Sequence, residues 1–177
     1  MRILLLGGSK SGKSMLAQGL TRAMGGRLYY LATMAPADAE DERRIQAHRQ
    51  DRAGWGYETV EQSRRLEECF PKIDPTGTVL LDSVTALLAG EMFGQGFDPE
   101  AGGRTAESLL ALGRCAANVV YVCDWIFSDG ERYDDWTERY RAELARICRI
   151  LAKDCDGVAE VSAGLVKWHK PVGEDGA

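Results

Sequence analysis

Hydrophobic residues along the chain occur in short uninterrupted runs that predict buried β-strands. Strong runs of this kind lie at residues 1–6, 27–33, 78–82 and 118–123. Shorter or alternating patterns, which are also typical of strands, lie at residues 57–61, 158–162 and 165–168. Ala163 and Gly164 separate the last two strands, so the pattern predicts a β-hairpin near the C-terminus.

Between the predicted strands, apolar residues recur every three or four positions, as they do on one face of a helix. This spacing predicts helices at residues 15–24, 83–93, 104–117 and 134–154. Ser63 and Asp134 can each cap a helix, and the helix after Ser63 is expected to end near Phe70. A charged helix is predicted over residues 38–52, and the glycine-rich stretch 94–103 predicts a loop or lid. Strands that alternate with helices predict an α/β fold whose mostly parallel sheet is covered on both faces.

One loop in this pattern matches a phosphate-binding motif. Residues 7–14 fit G-x-x-x-x-G-K-[ST] and lie between a predicted strand and a predicted helix. Gly7 and Gly12 allow backbone angles that a Cβ would forbid, so that the N–H groups of the loop can point at a phosphate. Lys13 would reach the β- and γ-phosphates, and the Ser14 hydroxyl would ligate Mg²⁺. The predicted phosphate-binding residues are Gly7, Gly8, Ser9, Lys10, Ser11, Gly12, Lys13 and Ser14.

A second candidate is the carboxylate of Asp82, which ends the predicted strand at 78–82. P-loop enzymes hold their Mg²⁺ with an acid of this kind, so Ser14 and Asp82 are the predicted metal residues. In an open α/β sheet, ligands bind beyond the carboxyl ends of the strands. We therefore expect the phosphate loop, Thr33 and Asp82 to meet at that edge of a P-loop NTPase-like fold.

Length and composition narrow the class of protein. The chain has 177 residues, which fits one nucleotide-binding domain over residues 1–177, and its 45% hydrophobic content is ordinary for a globular protein. A net charge of −5 argues against a nucleic-acid partner. There is no secretory signal and no apolar run approaching about 20 residues, so we expect no membrane span. The five cysteines include no C-x-x-C pair and are typical of reduced residues in a cytoplasmic protein.

Three blocks of the sequence together resemble one enzyme family. They are residues 7–14, residues 30–33 with the sequence Tyr-Leu-Ala-Thr, and residues 44–49 with the sequence Arg-Ile-Gln-Ala-His-Arg. Their order and spacing are similar to those of the bifunctional adenosylcobinamide kinase / adenosylcobinamide-phosphate guanylyltransferase of cobalamin biosynthesis. Further segments that resemble family motifs lie at residues 57–61, 79–85 and 161–165.

The resemblance implies two linked reactions at one nucleotide site. The family transfers a phosphoryl group from a nucleoside triphosphate, GTP or ATP, to the aminopropanol hydroxyl of adenosylcobinamide. It then attaches GMP from GTP to the new phosphate through a guanylylated histidine, for which His48 is the matching residue. His48 and Lys13 are therefore the predicted catalytic residues, and a homotrimer is implied. The guanine-nucleotide residues that the resemblance implies are Ala32, Thr33, Met34, Arg49, Gln50, Asp51, Arg52, Glu61 and Asp82.

The sequence also leaves other functions open. Spacing alone favours a solvated surface helix around His48. Residues 123–130 replace the T-N-E-V-G segment of the family, and residues 145–152 keep Arg146 but lack the family's Asn-Gln pair. In the family these segments lie near the corrinoid and phosphate end of the site. A P-loop kinase of another small molecule, or a nucleotide-binding relative that lacks one or both activities, therefore remains an alternative.

Overall fold

The computed structural model of the protein describes residues 1–35 and 54–173. The strands are β1 (Arg2–Gly7), β2 (Leu28–Ala32), β3 (Tyr57–Glu61), β4 (Thr78–Asp82), β5 (Asn118–Asp124), β6 (Gly157–Ser162) and β7 (Leu165–Lys170). In these residues they form one seven-stranded sheet in the order β3-β2-β4-β5-β1-β6-β7. Neighbouring strands are parallel except β6 and β7, which form an antiparallel hairpin. The predicted α/β fold with a mostly parallel sheet and a C-terminal hairpin is confirmed.

Helices connect most of these strands. They are α1 (Lys13–Met24), a 3₁₀ helix (Leu66–Lys72), α2 (Val84–Phe93), α3 (Ala101–Cys115) and α4 (Asp135–Asp154). The predicted cap of α4 is confirmed, because Asp134 Oδ1 accepts hydrogen bonds from the N–H groups of Trp136 and Thr137, both at 3.0 Å. The predicted helix over 38–52 lies outside the described residues. No helix in the part of the chain that the structure describes is long and apolar enough to cross a bilayer.

The helix predicted after Ser63 is wrong in both type and position. The structure has a 3₁₀ helix that begins at Leu66, and Arg65 before it adopts a left-handed conformation with φ of +47°. The Ser63 carbonyl packs against Gly90 of α2, where a Cβ would collide with it. The Gln62 side-chain amide donates to the Arg64 carbonyl at 2.6 Å. These tertiary and local contacts hold the chain in a bend that helix propensity alone does not predict.

The glycine-rich stretch is a shorter loop than expected, because α3 already begins at Ala101. Gly102 of this helix lies against the Glu143 side chain of α4, and a Cβ at this position would overlap the carboxylate. The glycine therefore leaves room for the Glu143 side chain between the two helices. From sequence alone, such a packing glycine looks the same as a loop glycine.

The sheet is covered on both faces by unequal layers. Helix α1 covers one face, over a small apolar cluster that includes the fully buried residues Leu5, Leu80 and Val120. Helices α2, α3, α4 and the 3₁₀ helix cover the opposite face, over a larger cluster that includes Leu81 and Leu109. Leu80 and Leu81 point to opposite faces because side chains alternate along a strand. The predicted covering of both faces is therefore confirmed.

All five cysteines are free thiols, and most of them are buried in the core. Cys69, Cys123, Cys148 and Cys155 are buried, and Cys115 is partly buried. Burial raises the pKa of Cys69 to about 11 and the pKa of Cys155 to about 12. These two thiols therefore stay protonated at neutral pH and act as small apolar side chains, as the sequence predicts.

Replacement of Leu81 by alanine should lower the free energy of unfolding by about 2–5 kcal/mol, because a fully buried leucine leaves a cavity behind. Urea denaturation followed by circular dichroism measures this change. Met15→Ala is the matched control, since Met15 is 77% exposed and its loss should change stability by less than about 0.5 kcal/mol. Equal losses in the two variants would contradict the assignment of Leu81 to the core.

Candidate nucleotide-binding site

Several predicted site residues meet at the carboxyl edge of the sheet. In the strand register, Ala32 at the end of β2 is the partner of Glu61 on one side and of Asp82 on the other. Gly7 at the end of β1 is the partner of Asp124 at the end of β5. The phosphate loop follows Gly7 directly. This edge is therefore where a ligand of an open α/β sheet would bind.

The motif loop has the strand–loop–helix context that the sequence predicts. Strand β1 ends at Gly7 and α1 begins at Lys13. Within the loop, Lys10 and Gly12 have positive φ values of 56° and 99°. The Ser11 carbonyl accepts a hydrogen bond of 2.9 Å from the N–H of Gly164 in the turn between β6 and β7. The C-terminal hairpin thus braces the loop from one side.

The reason for glycine at position 7 differs from the one expected. Gly12 needs its positive φ, which favours glycine, so that part of the prediction is confirmed. Gly7 has no such φ, but a Cβ there would collide with the Val161 carbonyl of β6 and lie 2.8 Å from Ser11 Oγ. Close packing between the loop and the neighbouring strand, rather than backbone angle, therefore requires Gly7.

Lys13 is a buried cation that points back into the loop. Its side chain is only 7% exposed, and its Nζ lies 3.0 Å from Asp124 Oδ1. The same Nζ donates a hydrogen bond of 2.7 Å to the Gly8 carbonyl. The sequence analysis did not select Asp124, although it ends a buried strand in the same way as Asp82. That shared signal would have found it.

The strand order explains why Lys13 contacts Asp124 and not Asp82. Strand β5 lies between β1 and β4, so two inter-strand spacings, together about 10 Å, separate β1 from β4. In the register, Asp82 is the partner of Val122, which in turn lies opposite Leu5, two residues before Gly7. Asp82 is therefore farther from the loop than Asp124 is.

Asp82 and Thr33 belong to a tight group of hydrogen bonds at this edge of the sheet. The Tyr30 hydroxyl donates to Asp82 Oδ2 at 2.8 Å, on the α1 face of the sheet. The Thr33 hydroxyl donates to the Ser83 carbonyl and accepts from the Ser83 N–H, both at 2.7 Å. The Thr33 side chain thus fixes the turn from β4 into α2. If Thr33 also contacts a nucleotide, its hydroxyl does so while it is hydrogen-bonded to Ser83.

The polar groups that line the loop suit an anion with a hard cation. Ser11 Oγ is buried and has no hydrogen-bond partner in the described part of the chain, so it is available to a ligand. Ser14 in the first turn of α1 is partly buried. Within residues 1–35 and 54–173 there is no cluster of three or more metal-ligating side chains. One hydroxyl and one carboxylate fit the way proteins hold Mg²⁺, whose remaining ligands are phosphates and water.

The remaining predicted residues differ in how far they can be assessed. Gly8, Ser9, Lys10 and Met34 are exposed at the loop and after β2. Glu61 is exposed at the end of β3 and takes part in other contacts. His48 and the predicted binding residues Arg49, Gln50, Asp51 and Arg52 lie outside the described residues.

The fold and the loop define a P-loop NTPase-like α/β protein. The chain belongs to the cobinamide kinase / cobinamide phosphate guanyltransferase family, whose model matches residues 3–167. It is 35% identical to the bifunctional adenosylcobalamin biosynthesis protein CobU of Escherichia coli, over 93% of this chain and 97% of that protein. It is 32% identical to the bifunctional adenosylcobalamin biosynthesis protein CobP of Pseudomonas aeruginosa, over 93% of this chain and 95% of that protein.

Solved structures support the fold. The RadB recombinase matches with a TM-score of 0.50 and 18% identity, over 90% of this chain and 73% of that one. A protein from Pyrococcus horikoshii OT3 matches with a TM-score of 0.58 and 10% identity, over 98% of this chain and 88% of that one. At these identities the likeness concerns the fold alone.

Replacement of Gly7 by alanine should destabilise the protein by about 1–3 kcal/mol, because the new Cβ forces the loop and β6 apart. Gly8→Ala is the matched control, since nothing lies within 4 Å of a Cβ at that position. Chemical denaturation of the two variants measures the difference. If Gly7→Ala were as stable as Gly8→Ala, the close packing of the loop on β6 would not hold.

Proposed function

We propose that this protein phosphorylates the aminopropanol hydroxyl of adenosylcobinamide and then converts the product to adenosylcobinamide-GDP with GTP. The observation that carries this proposal is the family match over residues 3–167, together with Lys13 at the start of α1, where the loop from β1 ends. The relatives in Escherichia coli and Pseudomonas aeruginosa are named as bifunctional adenosylcobalamin biosynthesis proteins.

In the first reaction, the substrate hydroxyl oxygen forms a bond to the γ-phosphorus of GTP or ATP, and the bond to the β-phosphate oxygen breaks. The loop N–H groups and the buried Lys13 ammonium would stabilise the charge that moves onto the phosphate oxygens. Mg²⁺, held by Ser14 and Asp82, would neutralise the phosphate chain when bound. The Tyr30 hydroxyl on Asp82 Oδ2 would orient this carboxylate.

In the second reaction, a ring nitrogen of His48 would attack the α-phosphorus of GTP, and pyrophosphate would leave. The N–P bond that forms is labile, so the phosphate of the corrinoid product can then take the GMP group from the histidine. Ala32, Glu61 and Asp82 share one row across the sheet edge, which supports their role around the guanine nucleotide. Thr33, Met34 and residues 49–52 complete the proposed set.

We also propose that the protein forms a homotrimer in the cytoplasm, with residues 1–177 as one domain. Strand β7 lies at the edge of the sheet and carries exposed apolar side chains, with Leu165 76% and Val166 39% exposed. An apolar edge of this kind is typical of a contact surface. The free thiols agree with a reducing compartment.

A P-loop kinase with another small-molecule acceptor is the second candidate. The segment at the end of β5 favours it, because Asp124 and Trp125 stand where the family has the T-N-E-V-G motif. The Trp125 side chain is exposed at this edge of the sheet, 44% of the residue being accessible, and the backbone N–H of Trp125 donates to the Gly7 carbonyl at 2.9 Å. Phosphoryl transfer to a non-corrinoid hydroxyl, without guanylyl transfer, would distinguish this candidate.

Incubation with α-labelled GTP and Mg²⁺ should leave acid-labile label on the wild-type protein and none on His48→Ala, because phosphoramidate bonds break in acid. The chain has two histidines, and the other one provides the control. His169 lies on β7 with its Nε2 3.2 Å from Glu160, so His169→Ala should label like the wild type. Undiminished labelling of His48→Ala would refute the nucleophile assignment. A wild-type protein that takes no label but phosphorylates an acceptor would favour the second candidate.

A further inference from the structure

Asp124 holds the lysine that the phosphate chain of the nucleotide needs. Lys13 Nζ lies 3.0 Å from Asp124 Oδ1, and the lysine side chain is 7% exposed while that of Asp124 is 39% exposed. We propose that Asp124 is an internal competitor of phosphate for Lys13, which weakens the binding of phosphate chains and hastens their release. The proposal rests on the proposed function only in that the loop binds the phosphates of the nucleotide.

The position of Asp124 is fixed by the fold. Its N–H donates to Thr85 Oγ1 of α2 at 2.8 Å. The next N–H, that of Trp125, donates to the Gly7 carbonyl at 2.9 Å. In the β1–β5 register Asp124 is the partner of Gly7, so its side chain emerges beside the loop on the α1 face. These contacts fix the backbone of Asp124 beside the loop, so its carboxylate stays within reach of Lys13.

The negative charge of Asp124 is what makes it compete with phosphate for Lys13. A buried ammonium group is costly without a partner, and Asp124 supplies one when no anion is bound. A phosphate chain in the loop must take Lys13 from the carboxylate or share it. In either case the phosphate gains less from Lys13 than from an unpaired ammonium group, because the ion pair with Asp124 is lost or weakened as the phosphate binds. When pyrophosphate or a nucleoside diphosphate leaves, Asp124 takes Lys13 back.

A purely structural role predicts the opposite sign. If Asp124 only held Lys13 in the orientation that phosphate requires, its loss would weaken phosphate binding. Competition predicts that its loss strengthens binding. The direction of the change in affinity therefore separates the two roles without reference to catalysis.

Asp124→Asn, which keeps the shape and removes the charge, should bind inorganic pyrophosphate about tenfold more tightly than the wild type. Isothermal titration calorimetry with the full chain measures this. Glu131→Gln controls for net charge, because Glu131 is an exposed acid in the loop after β5 and should leave the affinity unchanged. Unchanged or weaker binding by Asp124→Asn, or no pyrophosphate binding by either protein, would overturn the proposal.

A second background tests whether the effect acts through Lys13. In Lys13→Met, where no ammonium group remains to be contested, the gain from Asp124→Asn should fall to less than about twofold. A gain that persisted there would show direct repulsion without competition and would overturn the proposal. Pyrophosphate binding needs neither the corrinoid nor His48, so failure of guanylyl transfer and failure of this proposal are distinguishable.

Discussion

The candidate site depends on the pairing of β1 between two parallel neighbours. Strand β5 on one side and β6 on the other hold β1 along its length, so the point where Gly7 ends the strand is set by both. Gly7 fits only because it has no Cβ to collide with the Val161 carbonyl. From that point the chain turns into α1, and Lys13 enters the gap between the loop and β5. A loop with the same sequence on an edge strand would lack both supports.

Strand β5 lies between β4 and β1, the strand that leads into the loop, and this order separates the two carboxylates of the site. It places one carboxylate, Asp124, directly against Lys13 and the other, Asp82, one strand farther away. The two carboxylates therefore have different partners. Asp124 balances the charge of the lysine, whereas Asp82 accepts a hydrogen bond from Tyr30 on the far side of β5.

Family membership and local chemistry carry different parts of the functional argument. The match over most of the chain shows the family, and the named relatives support a role in adenosylcobalamin biosynthesis. The segment at the end of β5, residues 123–130, departs from the family motif where the structure puts Asp124 and Trp125 beside the loop. Both residues contact the ends of the phosphate loop, Asp124 through Lys13 and Trp125 through the Gly7 carbonyl.

The sequence by itself determined the strands, most helices, the phosphate loop and the family. The strands, helices and loop are local features, because an apolar run, a helical period or a motif spans only neighbouring residues. The family follows from the order and spacing of several such motifs along the chain. Tertiary structure decided the rest. Ser63 does not start a helix because its carbonyl packs on Gly90, and Gly7 is required by a strand more than 150 positions away. Asp124 became a partner of Lys13 only through the strand order, since no pattern along the chain states which strands are neighbours.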